Sequence, residues 1–118
     1  MNMPELLEWQ WRGYAAYHQH RTNLLLHIVA VPLFILASLL IVVAAFRLSL
    51  PLLVAGIVGL VLSVAIQGRG HRLEAVPPEP FAGPANFAGR LLAEQWVTFP
   101  RFVLSGGWWT NVTRACMS

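Results

Sequence analysis

Two stretches of the chain carry no formal charge, taking His27 as neutral: Leu24 to Phe46, with 23 residues, and Leu48 to Ile66, with 19. Each exceeds the roughly 18 apolar residues that mark a membrane span. At about 1.5 Å rise per residue they reach about 34 and about 28 Å, close to the roughly 30 Å hydrocarbon core of a bilayer. The connection Arg47-Leu48-Ser49-Leu50-Pro51 is too short for anything but antiparallel neighbours, and Pro51 is tolerable in the first turn of a second helix. The pattern therefore predicts an all-α, integral membrane helical hairpin, with spans over residues 24–46 and 48–66.

The flanking segments are mixed rather than apolar. In residues 1–23, Trp9, Trp11, Tyr14 and Tyr17 recur at helical spacing beside Glu5, Glu8 and Arg12, the pattern of an interfacial amphipathic helix. Pro32 predicts a kink in the first span, and Gly56 and Gly59 predict close approach of the second. Residues 67–84 turn polar and then proline-rich, which predicts a loop. Apolar periodicity resumes over 85–104 (Phe87, Leu91, Leu92, Trp96, Phe99, Val103), interrupted by Arg90, Glu94, Gln95 and Arg101. This predicts an interfacial or re-entrant helix, broken near Pro100.

Composition agrees with a lipid environment: 57% of residues are hydrophobic and only 11% charged. Arginine supplies all the positive charge, and the net +3 is too small for a nucleic-acid partner but suits anionic lipid headgroups. Arg47 alone lies between the spans, while the other arginines flank them, so the positive-inside rule puts both termini in the cytoplasm. The acidic and aromatic start is unlike a secretory signal. Cys116 stands alone, so no intrachain disulfide is expected. The sequon Asn111-Val112-Thr113 reads as accidental on a cytoplasmic segment.

The scarce polar residues carry the chemistry. His18, His20 and His27 lie at the mouth of the first span and His71 at the mouth of the second, and antiparallel pairing brings those mouths together. Imidazole binds metal when neutral, which an unperturbed pKa of about 6.5 permits. His27 lies about one turn inside the apolar run, where an ionisable group is costly and functional by default. Asn23, four residues earlier, shares its helical face; His71 and Glu74, three apart, aim at one point if helical. These nitrogen and oxygen donors suit Fe(II), with zinc the main rival. The plainer reading is a satisfied buried His27, a solvated turn around His71 and Glu74, and a headgroup-level patch at His18 and His20. On a straight helix His20, Asn23 and His27 share a face and His18 does not, so His18 joins a common site only if the helix bends or begins near Arg21.

In order and spacing, residues 14–104 resemble the 2-hydroxy fatty acid dioxygenases of phytosphingosine metabolism. The likeness is carried by Tyr17-His18, Asn23, His27 and Pro32, then by Gly70-His71-Arg72-Leu73-Glu74 followed by prolines. The resemblance implies an Fe(II)-dependent enzyme that uses molecular oxygen to release the carboxyl carbon of a 2-hydroxy fatty acid. It implies His18, His27 and His71 as metal ligands, with Asn23 and Glu74 as supporting catalytic residues; His20 has no counterpart. The long loop Val76 to Pro84 and Arg69, where an apolar residue is usual, depart from the eukaryotic members and fit a bacterial-type member in an inner membrane. Arg21, Arg69 and Arg72 are the residues expected to meet the substrate carboxylate. Two other readings use the same residues: a non-catalytic membrane scaffold that binds a partner, and a zinc-dependent lipid hydrolase with Glu74 as general base.

Overall fold

The computed structural model describes residues 1–117, and side chains through Arg114. Cys116 lies outside the described side chains. The described residues are helical wherever they are regular, with no strand among them. Helix α1 spans Met3–Tyr17; its start is set by Asn2, whose side chain accepts from the Glu5 N–H at 2.9 Å, and by a proline in the first turn. It buries Leu6 and Tyr14 and exposes an Arg12–Glu8 pair on its outer face. The helix stops at His18 (φ −133°, ψ 65°), and α2 (Arg21–Arg47) starts afresh with His20 as its cap, the imidazole Nδ1 accepting from the Thr22 N–H.

α2 runs on past Pro32 to Arg47, and Leu48, in the left-handed region at φ 51°, ends it. Ser49 then caps α3 (Leu50–His71), whose proline falls in the first turn. The two helices pack along their length. A methyl group at Gly56 would stand 2.6 Å from Ile41 Cγ1 and 3.2 Å from the Ala37 carbonyl, so the close approach expected at this glycine is built in. Both helices are long and apolar enough to cross a membrane. Their outward faces, including Val29, Leu36, Val43, Val54, Val58 and Val61, are apolar and exposed, unlike the core helices of a water-soluble domain.

α3 does not end with its apolar run at Ile66 but continues to His71. Hydropathy reports the change of environment, whereas a helix ends where its backbone partners end, and the prolines that forbid continuation begin only at Pro77. His71 thus stands in the last helical turn rather than in a loop. After the proline-rich segment come α4 (Pro84–Ala93), a π-helical turn (Glu94–Thr98) and α5 (Phe99–Leu104) as one continuous path. The path does not break at Pro100. It widens just before it, with the Phe99 N–H reaching the Glu94 carbonyl five residues back.

Gly106, at φ 86°, turns the chain into α6 (Gly107–Met117). Tyr14, Leu24, Val31, Phe99, Phe102 and Val112 form one buried cluster where α1, α5 and α6 close over one end of the hairpin. That packing fixes the positions of the polar side chains discussed next.

Candidate metal centre

The interruption between α1 and α2 decides where His18 points. Because α1 ends at His18 and α2 begins only at Arg21, the imidazole is released from the helical register that would have sent it away from His27. Three contacts hold it: it stacks on Tyr14 at 3.8 Å between ring centroids, its Nδ1 lies 2.7 Å from the Tyr14 carbonyl, and its own carbonyl accepts from Asn111 Nδ2 at 2.8 Å. His27, with no exposed surface, is held similarly, its Nδ1 3.1 Å from the Asn23 carbonyl. A carbonyl can only accept, so in both rings Nδ1 carries the proton and Nε2 is left with its lone pair.

The three imidazoles of His18, His27 and His71 surround one point. Their centroids are 5.0, 4.8 and 5.0 Å apart, and each ring is turned 77–88° from the others. Glu94, on the π-helical turn, closes the set, its Oε2 standing 3.3 Å from His18 Nε2 and 3.6 Å from His27 Nε2. One donor atom from each of the four residues lies within 4.8 Å of every other. His18 Nε2, His27 Nε2 and His71 Nδ1 are all buried without a hydrogen-bond partner among the described residues.

Three partnerless ring nitrogens, two of them bare lone pairs, and a carboxylate facing one another are electrostatically unfavourable unless positive charge lies between them. Burial alone pushes the Glu94 carboxyl up; hydrogen bonds from His18 and His27, and behind them the charge those rings carry when a proton stands on Nε2 in place of a cation, pull harder the other way and hold it well below the usual carboxylate range. A cation among the same nitrogens exerts the same pull. Burial, reinforced by the Glu94 charge, pushes the Tyr14 phenol well above its ordinary value, so it keeps its proton and donates it to Glu94 Oε2 at 2.6 Å. The donor set fits a first-row divalent ion: three imidazole nitrogens and one anionic oxygen, with His18 and His27 oriented from behind by backbone carbonyls.

The other expected residues fall around this cluster rather than in it. Glu74 accepts from the Gln19 N–H at 2.8 Å, the His20 N–H at 2.9 Å and Asn23 Nδ2 at 2.7 Å. It therefore ties the end of α3 to the α1–α2 link that carries His18. Asn23 is fully buried beside it and packs against Gly70, where any Cβ would collide with Asn23 Oδ1. His20 serves as helix cap and is exposed.

Of the three arginines, Arg72 lines a cavity of about 710 Å³ that reaches His18, His71 and Glu94. Arg21 lines a separate cavity beside His20 and Arg114, and Arg69 is exposed and lines neither. Two residues escaped the sequence reading. Glu94 carried the signal that singled out His27, an ionisable group within an apolar periodic segment. Asn111, set aside as part of an accidental sequon, is buried and donates to the Ala15 and His18 carbonyls.

No curated protein and no solved structure matches the chain. The family described as 2-hydroxy-palmitic acid dioxygenase Mpo1-like matches residues 5–99, an interval that contains all four converging residues. With that match covering most of its length, the chain belongs to the Mpo1-like family.

Proposed function

We propose that this protein is an Fe(II)-dependent dioxygenase of the membrane that shortens long-chain 2-hydroxy fatty acids by one carbon. The observation that carries the reading is the convergence of three partnerless imidazole nitrogens and the Glu94 carboxylate at the mouth of an apolar helical hairpin. The family match supplies the reaction class. A balanced turnover consumes one molecule of oxygen per 2-hydroxy acid and yields the shorter acid, carbon dioxide and water.

His18, His27, His71 and Glu94 would hold the ion. When bound, it supplies a redox-active Lewis acid on which a 2-hydroxy carboxylate and oxygen can meet. The residues of the chain do the rest. Tyr14 keeps Glu94 oriented through its phenol hydrogen bond, and the Tyr14 and Asn23 carbonyls fix the tautomers of His18 and His27. Arg72, on the wall of the cavity, would receive the carboxylate as it approaches the cluster. Glu74 and Asn23 act from a distance, by holding the α1–α2 link that presents His18.

The exposed apolar faces of α2 and α3 favour a bilayer-spanning hairpin over a soluble fold. Arginine placement favours both termini on the cytoplasmic side of an inner membrane. A zinc hydrolase with Glu74 as general base is disfavoured, because that carboxylate is already shared among three N–H donors. Anaerobic purification in mild detergent, elemental analysis and product analysis after adding oxygen and a 2-hydroxy fatty acid test the reading. Stoichiometric iron with oxygen-dependent formation of the acid one carbon shorter is expected. Zinc with oxygen-independent turnover, or no bound metal, would overturn it.

A further inference from the structure

The cavity beside the cluster is large for a site whose chemistry concerns two carbon atoms. Its volume of about 710 Å³ lies within the roughly 300–1,000 Å³ of pockets that enclose whole small ligands. Beside the cluster its wall is polar, with His18, His71, Arg72 and Glu94; the carboxylates of Glu74 and Glu79 also reach it, Glu74 being engaged by three N–H donors. Its other walls include Trp9, Val64, Pro77, Phe81, Phe87 and Leu91, contributed by α1, α3, the proline-rich segment and α4. An amphiphile with an anionic head and an apolar tail matches this distribution.

The cations along the walls are not equivalent. Arg12 pairs with Glu8 at 2.9 Å. Arg90 donates to the Glu79 and Pro80 carbonyls at 2.9 and 3.1 Å and lies over the Phe81 ring at 4.2 Å, so it fastens the proline-rich segment across the cavity. Arg72 has no side-chain partner among the described residues and stands one position from His71.

Gly68 supplies the second observation. It lies one turn before the end of α3 with ordinary helical backbone, where glycine is less favourable than alanine, so its presence asks for a reason. At Gly56 and Gly70 the reason is a neighbour that leaves no room for Cβ; at Gly68 a Cβ would meet nothing within 4 Å. Gly68 lines the cavity between Val64 and Arg72, each four residues away on the same face of α3. The missing side chain widens the passage leading away from the polar end.

We propose that this cavity, rather than the bilayer-facing surface of the hairpin, is the acyl-chain site: Arg72 holds the carboxylate, the tail passes over Gly68 toward Val64, and the Arg90-fastened segment covers it. The assignment rests on the 2-hydroxy acid reading and adds where the tail lies and what limits its length. A Cβ at Gly68 meets no protein atom, so a side chain built from it projects into the space assigned to the tail and selects against long chains.

A 2-hydroxy fatty acid carrying a mid-chain photoreactive diazirine, added under anaerobic conditions to the iron-loaded protein in lipid nanodiscs, tests the site without turnover. Adducts are expected on Val64, Phe87 or Leu91, competed by unlabelled 2-hydroxy acid and not by the alcohol of equal length. Adducts confined to Val29, Leu36 or Val58 on the outer faces, or equal competition by the alcohol, overturn the assignment. In the iron-loaded enzyme, Gly68→Leu is expected to lower the ratio of kcat/KM for long-chain over short-chain 2-hydroxy acids about tenfold or more, the size of effect a pocket wall exerts on tail methylenes. An unchanged ratio in the folded variant overturns the role of Gly68. Cavity adducts without turnover in the wild type would sink the dioxygenase and leave the acyl site; turnover with outer-face adducts would do the reverse.

Discussion

Glu94 and Glu74 have the same side chain and opposite surroundings, which makes them a matched test of the cluster. Glu94 offers its charge to three imidazoles and one phenol; Glu74 offers its charge to two backbone N–H groups and an amide. Glu94→Gln keeps the shape and removes the charge, and retained iron is expected to fall about tenfold or more, with little change in the melting temperature of the chelated protein. Glu74→Ala strands the part-buried Asn23 amide and leaves two exposed backbone N–H groups to water, and is expected to cost about 1–3 kcal/mol of stability, with the smaller loss of iron. Elemental analysis and thermal unfolding of both variants decide the matter; the reverse ranking removes Glu94 from the centre.

The same pair shows what could be read beforehand. His27 stood out because an ionisable group in an apolar run is expensive, and His71 followed from pairing the mouths of a hairpin; His18 was implied by the family resemblance, since helical spacing alone favoured His20. Glu94 lies beyond a proline-rich segment whose path no periodicity reports, so its return to the hairpin mouth was not legible, although its chemistry was.

Between the elements, the π-helical turn is held to the hairpin by a reciprocal amide pair. Gln67 Nε2 donates to Gln95 Oε1 at 2.8 Å and Gln95 Nε2 returns the bond to Gln67 Oε1 at 2.9 Å. Gln67 continues to Ser63 Oγ at 3.0 Å, and the Ser63 hydroxyl donates to the Ala30 carbonyl at 2.5 Å. Gln95 follows Glu94 and Gln67 precedes His71 by one turn, so this chain of bonds sets the distance between two members of the cluster. Either glutamine changed alone to leucine leaves a buried amide without its partner, at a cost of about 1–3 kcal/mol. Changing both removes the orphan along with the bond. The double variant is therefore expected to be less destabilised than the two single losses added together, by about 1 kcal/mol or more in a double-mutant cycle from chemical denaturation. Additive losses would mean that the two amides do not act as a pair.

Gly70 makes a sharper element-scale case. Gly70→Ala drives Cβ into Asn23 Oδ1, at the contact where α3 meets the start of α2. A loss of about 1–3 kcal/mol in thermal unfolding is expected, whereas Gly68→Ala, facing open space, is expected to be neutral or slightly stabilising. The spans themselves were plain from hydropathy. The end of α3 was not, because polarity changes five residues before the backbone runs out of partners.

At the scale of the whole molecule, the four converging residues come from four places: the link after α1, α2, the last turn of α3, and the π-helical turn. The hairpin of α2 and α3 holds together through its own close helix contact at Gly56, whereas α1, α5 and α6 meet the near end of α2 over one small apolar cluster. An ion that binds only when all four residues are assembled therefore stabilises the head far more than the hairpin. Binding at a hundredfold excess over Kd contributes about 2.7 kcal/mol to the state that binds. Removing it also leaves the lone pairs and the carboxylate facing one another with nothing between.

Chelation is thus expected to expose amides of α1, α4 and α5 to hydrogen exchange at least about tenfold faster, while the central turns of α2 and α3 stay protected. Re-addition of Fe(II) under anaerobic conditions is expected to restore the protection. His71→Ala, which removes one ligand and leaves the apolar packing of the head in place, is expected to show the fast-exchanging pattern with or without the ion. Exchange that is unchanged by chelation in the wild type would mean that the head is held by packing alone.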